Sequence, residues 1–227
     1  RLLLLVAGVL AVVAGMGADR MNPYYSGVVI DIGIAIILAV SLNLINGHTG
    51  QFSLGHAGFM SVGAYVSAMI TLELQKSMGP DALPWAFLPA LVAGGTVAAV
   101  AGLLVGVPSL RLKGDYLAIV TLGFGEIIRV IFQNVEAAGA ASGLSGIPRL
   151  TGLTWTFMLA AFTVYVVACL VNSTYGRGFI AVHDDEVAAS SMGLNPTRYK
   201  VTAFVIGAFF AGIAGGLFAH HNTSITP

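Results

Sequence analysis

Two opposite charges, Glu126 and Arg129, stand three residues apart inside the apolar run from about Tyr116 to Phe132. In a helix that spacing gives neighbouring positions on one face, about 16 and 21 Å along the axis from Asp115. A lone charge at such depth in a bilayer costs at least about 2.5–3.5 kcal/mol on the insertion scale. The two therefore call for an intramembrane ion pair or a polar interior, and neither should face lipid. A pair that holds helices together and a pair with a direct part in a solute pathway both meet that need. Asp31 lies nearer the start of its own apolar run and can reach the interface. His56, among small residues, reads as a hydrogen-bonded packing residue or a proton carrier. The adjacent pair His220-His221 marks a membrane boundary and gives no metal-ligand spacing. There is no nucleophile with a base at recognisable spacing, no metal cluster and no Gly-x-x-x-x-Gly-Lys-Ser/Thr phosphate loop. No catalytic residue, metal or cofactor is expected in this chain.

Two further stretches carry polar chemistry. Asn46-Gly47-His48-Thr49-Gly50-Gln51-Phe52-Ser53 is polar and glycine-rich between two apolar runs. It is a short loop or an unwound segment at membrane depth, which is tolerated only beside protein or a cavity. Asn43, Gly50, Gln51, Ser53, Gly55, His56 and Gly58 offer small polar groups and open backbone, and are expected to border a translocation route. The second stretch runs from Gly176 to Gly193 and reads as short helices broken at Gly193. Asp184 and Asp185 suit a helix N-terminus. Val187, Ala188, Ser191 and Met192 then fall on one face at helical spacing, and Asn195-Pro196 can start another helix. That face needs a cover, either this chain's own helices or another subunit.

The elements that position these residues are apolar runs. Of 227 residues, 57% are hydrophobic and 9% charged, against roughly 25% charged in a soluble domain. A water-soluble fold is excluded. Ten basic residues balance ten acidic ones and none of the basic residues are adjacent, so nucleic-acid binding is set aside. Cys169 is the single cysteine, which excludes an internal disulfide. A bilayer core about 30 Å thick needs roughly 20 apolar residues per helix. This selects spans at about 2–18, 28–45, 54–72, 85–107, 116–132, 154–171 and 201–219. The third, dense in small residues, is the one that could be re-entrant. The expectation is an all-α, polytopic transmembrane bundle of about seven spans, forming one domain over 1–227. Arg1 is not a start Met and Pro227 follows an apolar helix abruptly, so the chain is expected to be truncated.

Basic loops stay in the cytoplasm. Seven alternating spans place Arg1, Arg111, Lys113, Arg177, Arg198 and Lys200 on one side, and Arg20, Lys76 and Arg149 on the other. Six against three puts 174–200 inside and 133–153 outside.

Ala188-Ala189 followed by Gly193 matches the spacing of the coupling loop of ABC importer permeases, Glu-Ala-Ala, three residues, then Gly. Glu186 sits one residue early, Val187 holds the usual Glu position and the later Leu-Pro is missing. The longer arrangement is more specific. It runs from Gly176 through Asp184-Asp185-Glu186-Val187-Ala188-Ala189 to Arg198-Tyr199-Lys200, Ala203-Phe204 and Ala211-Gly212-Ile213-Ala214-Gly215-Gly216. Ser41-Leu42-Asn43-Leu44, Gly50 to Phe59 and Gly114 to Arg129 agree with it. From about Asp31 to Pro227 the chain resembles the branched-chain amino acid permease family of ABC importers, particularly its LivM-like branch.

The resemblance implies a permease subunit in a bacterial inner membrane, importing branched-chain amino acids or related small solutes. It implies a second permease subunit, two ATPase subunits that bind ATP, and an extracytoplasmic binding protein. It assigns 174–200, with Asp184, Asp185, Glu186, Ala188, Ala189 and Gly193, to coupling with the ATPase. An ion- or proton-coupled secondary transporter would also have broken helices and buried charges, and is the alternative.

Overall fold

The computed structural model describes residues 22–78, 83–109 and 115–227. The first expected span, 2–18, lies outside them, as do Arg111 and Lys113. Six helices among the described residues are long and apolar enough to cross a bilayer. They are α1 (Pro23–Asn46), α2 (His56–Met78), α3 (Leu83–Ser109), α4 (Asp115–Asn134), α5 (Leu153–Val171) and α8 (Pro196–Asn222). Two short helices, α6 (Thr174–Asp184) and α7 (Glu186–Ser191), join α5 to α8. A two-residue strand, β1 (Leu144–Ser145), pairs antiparallel with β2 (Ser224–Ile225).

Local chemistry sets the boundaries. The Asn22 side chain accepts from the Tyr24 N–H, with Pro23 at the first helical position of α1. Asn195 and Pro196 start α8 in the same way, the Asn195 side chain accepting from Arg198 N–H. Ser173 caps α6 through the Gly176 N–H.

The core is built on α8, which packs against α1, α2 and α3. Small residues allow the backbones to approach closely. A Cβ on Gly63 of α2 would strike the backbone of Gly212 on α8, and one on Gly212 would lie 3.0 Å from the Gly94 carbonyl of α3. Phe59 meets Phe204 edge-on, and Leu91, Leu217 and Phe87 fill the next layer. His220, fully buried, donates through Nδ1 to the Gly216 carbonyl at 2.7 Å and pairs through Nε2 with the Thr71 hydroxyl at 2.9 Å. That arrangement is a hydrogen-bonded packing histidine.

Contacts also fix direction. Met60 to Thr71 of α2 meet Gly215 to His220 of α8 in the same order, whereas Phe87 to Gly102 of α3 meet α8 in reverse. Helix α2 starts beside Ser41 and ends beside His220, so it crosses the bundle and is not re-entrant. The bundle has a Lys200 end, which holds α6 and α7, and a His220 end, which holds the 135–152 connection.

Candidate functional site

The polar segment between α1 and α2 is neither helix nor strand, and its residues alternate. Thr49, Gln51, Ser53 and Gly55 point inward, while Gly50, Phe52 and Leu54 point outward. Gly50 has φ +65° and lies against the His183 ring, so a side chain there would be both strained and obstructed. Gln51 Nε2 donates to Thr49 Oγ1 at 2.6 Å and to the Lys200 carbonyl at 3.3 Å. Thr49 in turn donates to the Ile45 carbonyl at 2.8 Å. At the far side, Leu54 N–H donates to Thr121 Oγ1 at 3.0 Å, tying the segment to α4. The Ser41 hydroxyl pairs with the Leu38 carbonyl at 3.0 Å and with His56 Nε2 at 2.9 Å.

Two stretches that are distant in sequence therefore meet at the Lys200 end. The chain turns from α6 into α7 at Asp185, whose backbone is extended and whose carboxylate accepts from the Val187 and Ala188 N–H groups at 2.8 and 3.0 Å. Sequence alone puts both Asp184 and Asp185 at a helix N-terminus. Asp184 instead ends α6, because the extended Asp185 backbone breaks the helix between them. Gly193, with φ +85°, ends α7 as expected. Glu186 Oε2 receives Lys200 Nζ at 2.9 Å, fastening α7 to α8. Tyr175, Phe179 and Tyr199 stack into an aromatic cluster beneath.

The face expected on α7, Val187, Ala188, Ser191 and Met192, is exposed. Val187 and Met192 are 68% and 84% exposed, and Ala188 is exposed beside them. Ala189 is buried, and its carbonyl accepts from Leu194 N–H. It packs inside this chain.

A second site lies between α2 and α4, a cleft of about 200 Å³. One wall is Leu54, Ala57, Gly58, Ser61 and Tyr65; the other is Leu122, Gly125, Glu126, Arg129 and Phe132, with Pro227 at its border. Arg129 Nε donates to Glu126 Oε2 at 2.9 Å. Against the expectation of a buried pair, its side chains are 53% and 60% exposed in this chain, because α4 turns them into the cleft rather than into the core. Tyr65 stacks on Phe132 at 4.1 Å and is almost wholly buried, but its hydroxyl has no hydrogen-bond partner among the described residues.

Of the seven residues expected along a route, Gly58 lines this cleft. Gly50 and Gln51 sit at the Lys200 end, Ser53, Gly55 and His56 are packed inside, and Asn43 is exposed on α1. Tyr65 escapes the sequence reading, although Gly58, Ser61 and Tyr65 recur at the three-and-four spacing that gives one helix face. Among the described residues no group of three or more His, Cys, Asp or Glu could hold a metal.

Residues 24–227 match the family described as branched-chain amino acid transport system / permease component. The chain is 37% identical to the high-affinity branched-chain amino acid transport system permease protein LivM of Salmonella typhimurium, over 86% of this chain and 52% of that protein. It is 26% identical to the permease protein LivH of Escherichia coli, over 91% and 73%. It is 24% identical to the guanosine ABC transporter permease protein NupQ of Bacillus subtilis, over 81% and 63%. The chain thus spans about half the length of its LivM relatives. No solved structure matches it. The match across nearly all described residues, with the LivM identity, places this multi-pass chain in the branched-chain amino acid transport system permease family.

Proposed function

We propose that the chain belongs to the membrane-spanning permease of an ATP-driven importer of branched-chain amino acids in a bacterial inner membrane. In this reading α6, α7 and the start of α8 receive the stroke of an ATPase subunit. Family membership and the 37% identity to LivM favour this solute class. NupQ, named for guanosine, sets the limit: the scaffold alone does not choose the solute. LivH and LivM, both related to this chain, support a second permease subunit as partner. Two ATP-binding subunits and an extracytoplasmic binding protein complete the assembly, with ATP bound outside this chain.

The observation that carries the coupling role is the exposed Val187 and Met192 on a helix of only six residues. A helix this short is unstable alone. The Asp185 cap and the Glu186–Lys200 bridge hold it, so its apolar edge is presented on a fixed frame. Arg177, Arg198 and Lys200 gather at the same end, which charge bias assigns to the cytoplasm.

The test is the full-length protein reconstituted with its cognate ATPase, partner permease and binding protein. Val187→Asp with Met192→Asp should leave the amount in the membrane unchanged, abolish ATPase pull-down and stop ATP-dependent leucine uptake. Normal association and uptake in this variant would exclude the surface. Uptake of guanosine but not leucine by the parent would overturn the solute assignment.

A further inference from the structure

We propose that the α2–α4 cleft is a way station for the zwitterionic head of an α-amino acid, an inference that rests on the importer reading above. Glu126 and Arg129 lie about 16 and 21 Å along α4 from Asp115, deep in a helix long enough to cross a bilayer. Lipid cannot serve charges at that depth. The pair instead turns into a cleft whose remaining walls are apolar or small. One of the five guanidinium donors of Arg129 is engaged, through Nε, by Glu126 Oε2. Its terminal amino groups can receive a carboxylate, while the Glu126 carboxylate can receive an ammonium. An α-amino acid carries both charges on one carbon, so its head matches the pair and keeps the local charge at zero.

An independent observation points to a ligand in the same place. Tyr65 lines the cleft, and its hydroxyl is buried and lacks a partner among the described residues. A buried hydroxyl left unpaired forfeits its hydration without return, a loss that a passing carboxylate or ammonium would relieve. Leu122 and the stacked Tyr65–Phe132 rings supply an apolar wall for a branched aliphatic tail. Gly58 and Gly125 bring the backbones of α2 and α4 together at the cleft, where a Cβ on Gly58 would come within 3.1 Å of the Gly125 Cα. Their lack of side chains lets the two walls meet behind the cleft.

The test uses the full-length transporter in proteoliposomes, with Ser61→Cys in a Cys169→Ser background and a water-soluble thiol reagent. Leucine should slow labelling at least fivefold, whereas isovalerate, which lacks the ammonium, and isoamylamine, which lacks the carboxylate, should not. Adding Arg129→Gln should remove the leucine protection while ATPase pull-down stays normal. Tyr65→Phe should weaken protection several-fold at unchanged abundance. Equal protection by all three solutes, or protection that survives Arg129→Gln, would overturn the proposal. So would an introduced thiol that never reacts, which would place another part of the transporter in the cleft. Failure of the cleft with intact ATP-driven leucine uptake leaves the importer reading standing; absent uptake in the parent removes that reading instead.

Discussion

Helices α8 and α4 are both long enough to span a bilayer, yet 67% of the apolar stretch of α8 is buried within this chain and 17% of that of α4. Both carry glycine, which serves opposite ends in the two. On α8, glycine removes a side chain so that a neighbouring helix can take its place: Gly207, Gly212, Gly215 and Gly216 each have a neighbour where a Cβ would sit. On α4, a Cβ at Gly123 would meet nothing within 4 Å, and one at Gly125 would only graze Gly55 at 3.9 Å. The same residue type marks a closed seam on one helix and an open wall on the other. The seam makes α8 the fixed axis of the bundle. The wall, bearing Glu126 and Arg129, is where the chain deals with water, solute or a partner.

The sharpest way to break this comparison is to fill both kinds of glycine. Gly212→Leu should exceed the usual 1–3 kcal/mol of overpacking, because backbone of α2 and α3 must move, and folded protein in the membrane should fall to a small fraction of the parent. Gly123→Leu should leave abundance and melting nearly unchanged. Similar losses from both, measured by fluorescence-detected size exclusion, would show that α4 is packed as tightly as α8.

Arg129→Ala probes the open wall. Had the ion pair been buried, removing one partner would cost about 3–5 kcal/mol. With both side chains more than half exposed in this chain, the expected loss is under about 1 kcal/mol, while leucine uptake drops at least tenfold. A large fall in melting temperature with no specific loss of uptake per folded molecule would return the pair to a structural role.

Much of this contrast was legible in the sequence. Apolar run lengths located all six described spans within a few residues, because bilayer thickness dictates length whatever the packing. The Asn195-Pro196 start and the Gly193 stop were legible for the same reason: capping is local chemistry. What run lengths could not give was which face of each helix turns inward. Ala188 and Ala189 are chemically identical, and only the tertiary placement of α7 buries the second. The contact between Gln51 and Lys200 joins residues 149 apart, and no local signal announces it.

That contact gives the next prediction. Gln51→Leu removes the donor to the Lys200 carbonyl and to Thr49 without adding bulk, at a cost of roughly 1 kcal/mol in stability. Because the segment touches α8 at one end and α4, through Thr121, at the other, it is placed to pass movement from the Lys200 end to the cleft. ATP hydrolysis in the reconstituted complex should persist while uptake per ATP falls several-fold. Parallel decline of hydrolysis and uptake would make Gln51 a packing residue only.

The smallest effect is expected at the opposite end of the bundle. Asp31 of α1 lies 4.0 Å from His221 Nε2 but is 61% exposed, whereas the neighbouring His220 is wholly enclosed and hydrogen-bonded on both ring nitrogens. Exposed pairs at the limit of contact distance contribute about 0–1 kcal/mol, so Asp31→Asn should shift melting by no more than a degree or two. His220→Ala should cost several times more, since it removes the ring's hydrogen bonds to Thr71 and the Gly216 carbonyl and opens a cavity beside Phe87. Thermal melts of the two variants in the same detergent give the ratio directly. If Asp31→Asn were as damaging as His220→Ala, the outer face of α1 would be enclosed by another part of the transporter, and α4 would not be alone in offering an open wall.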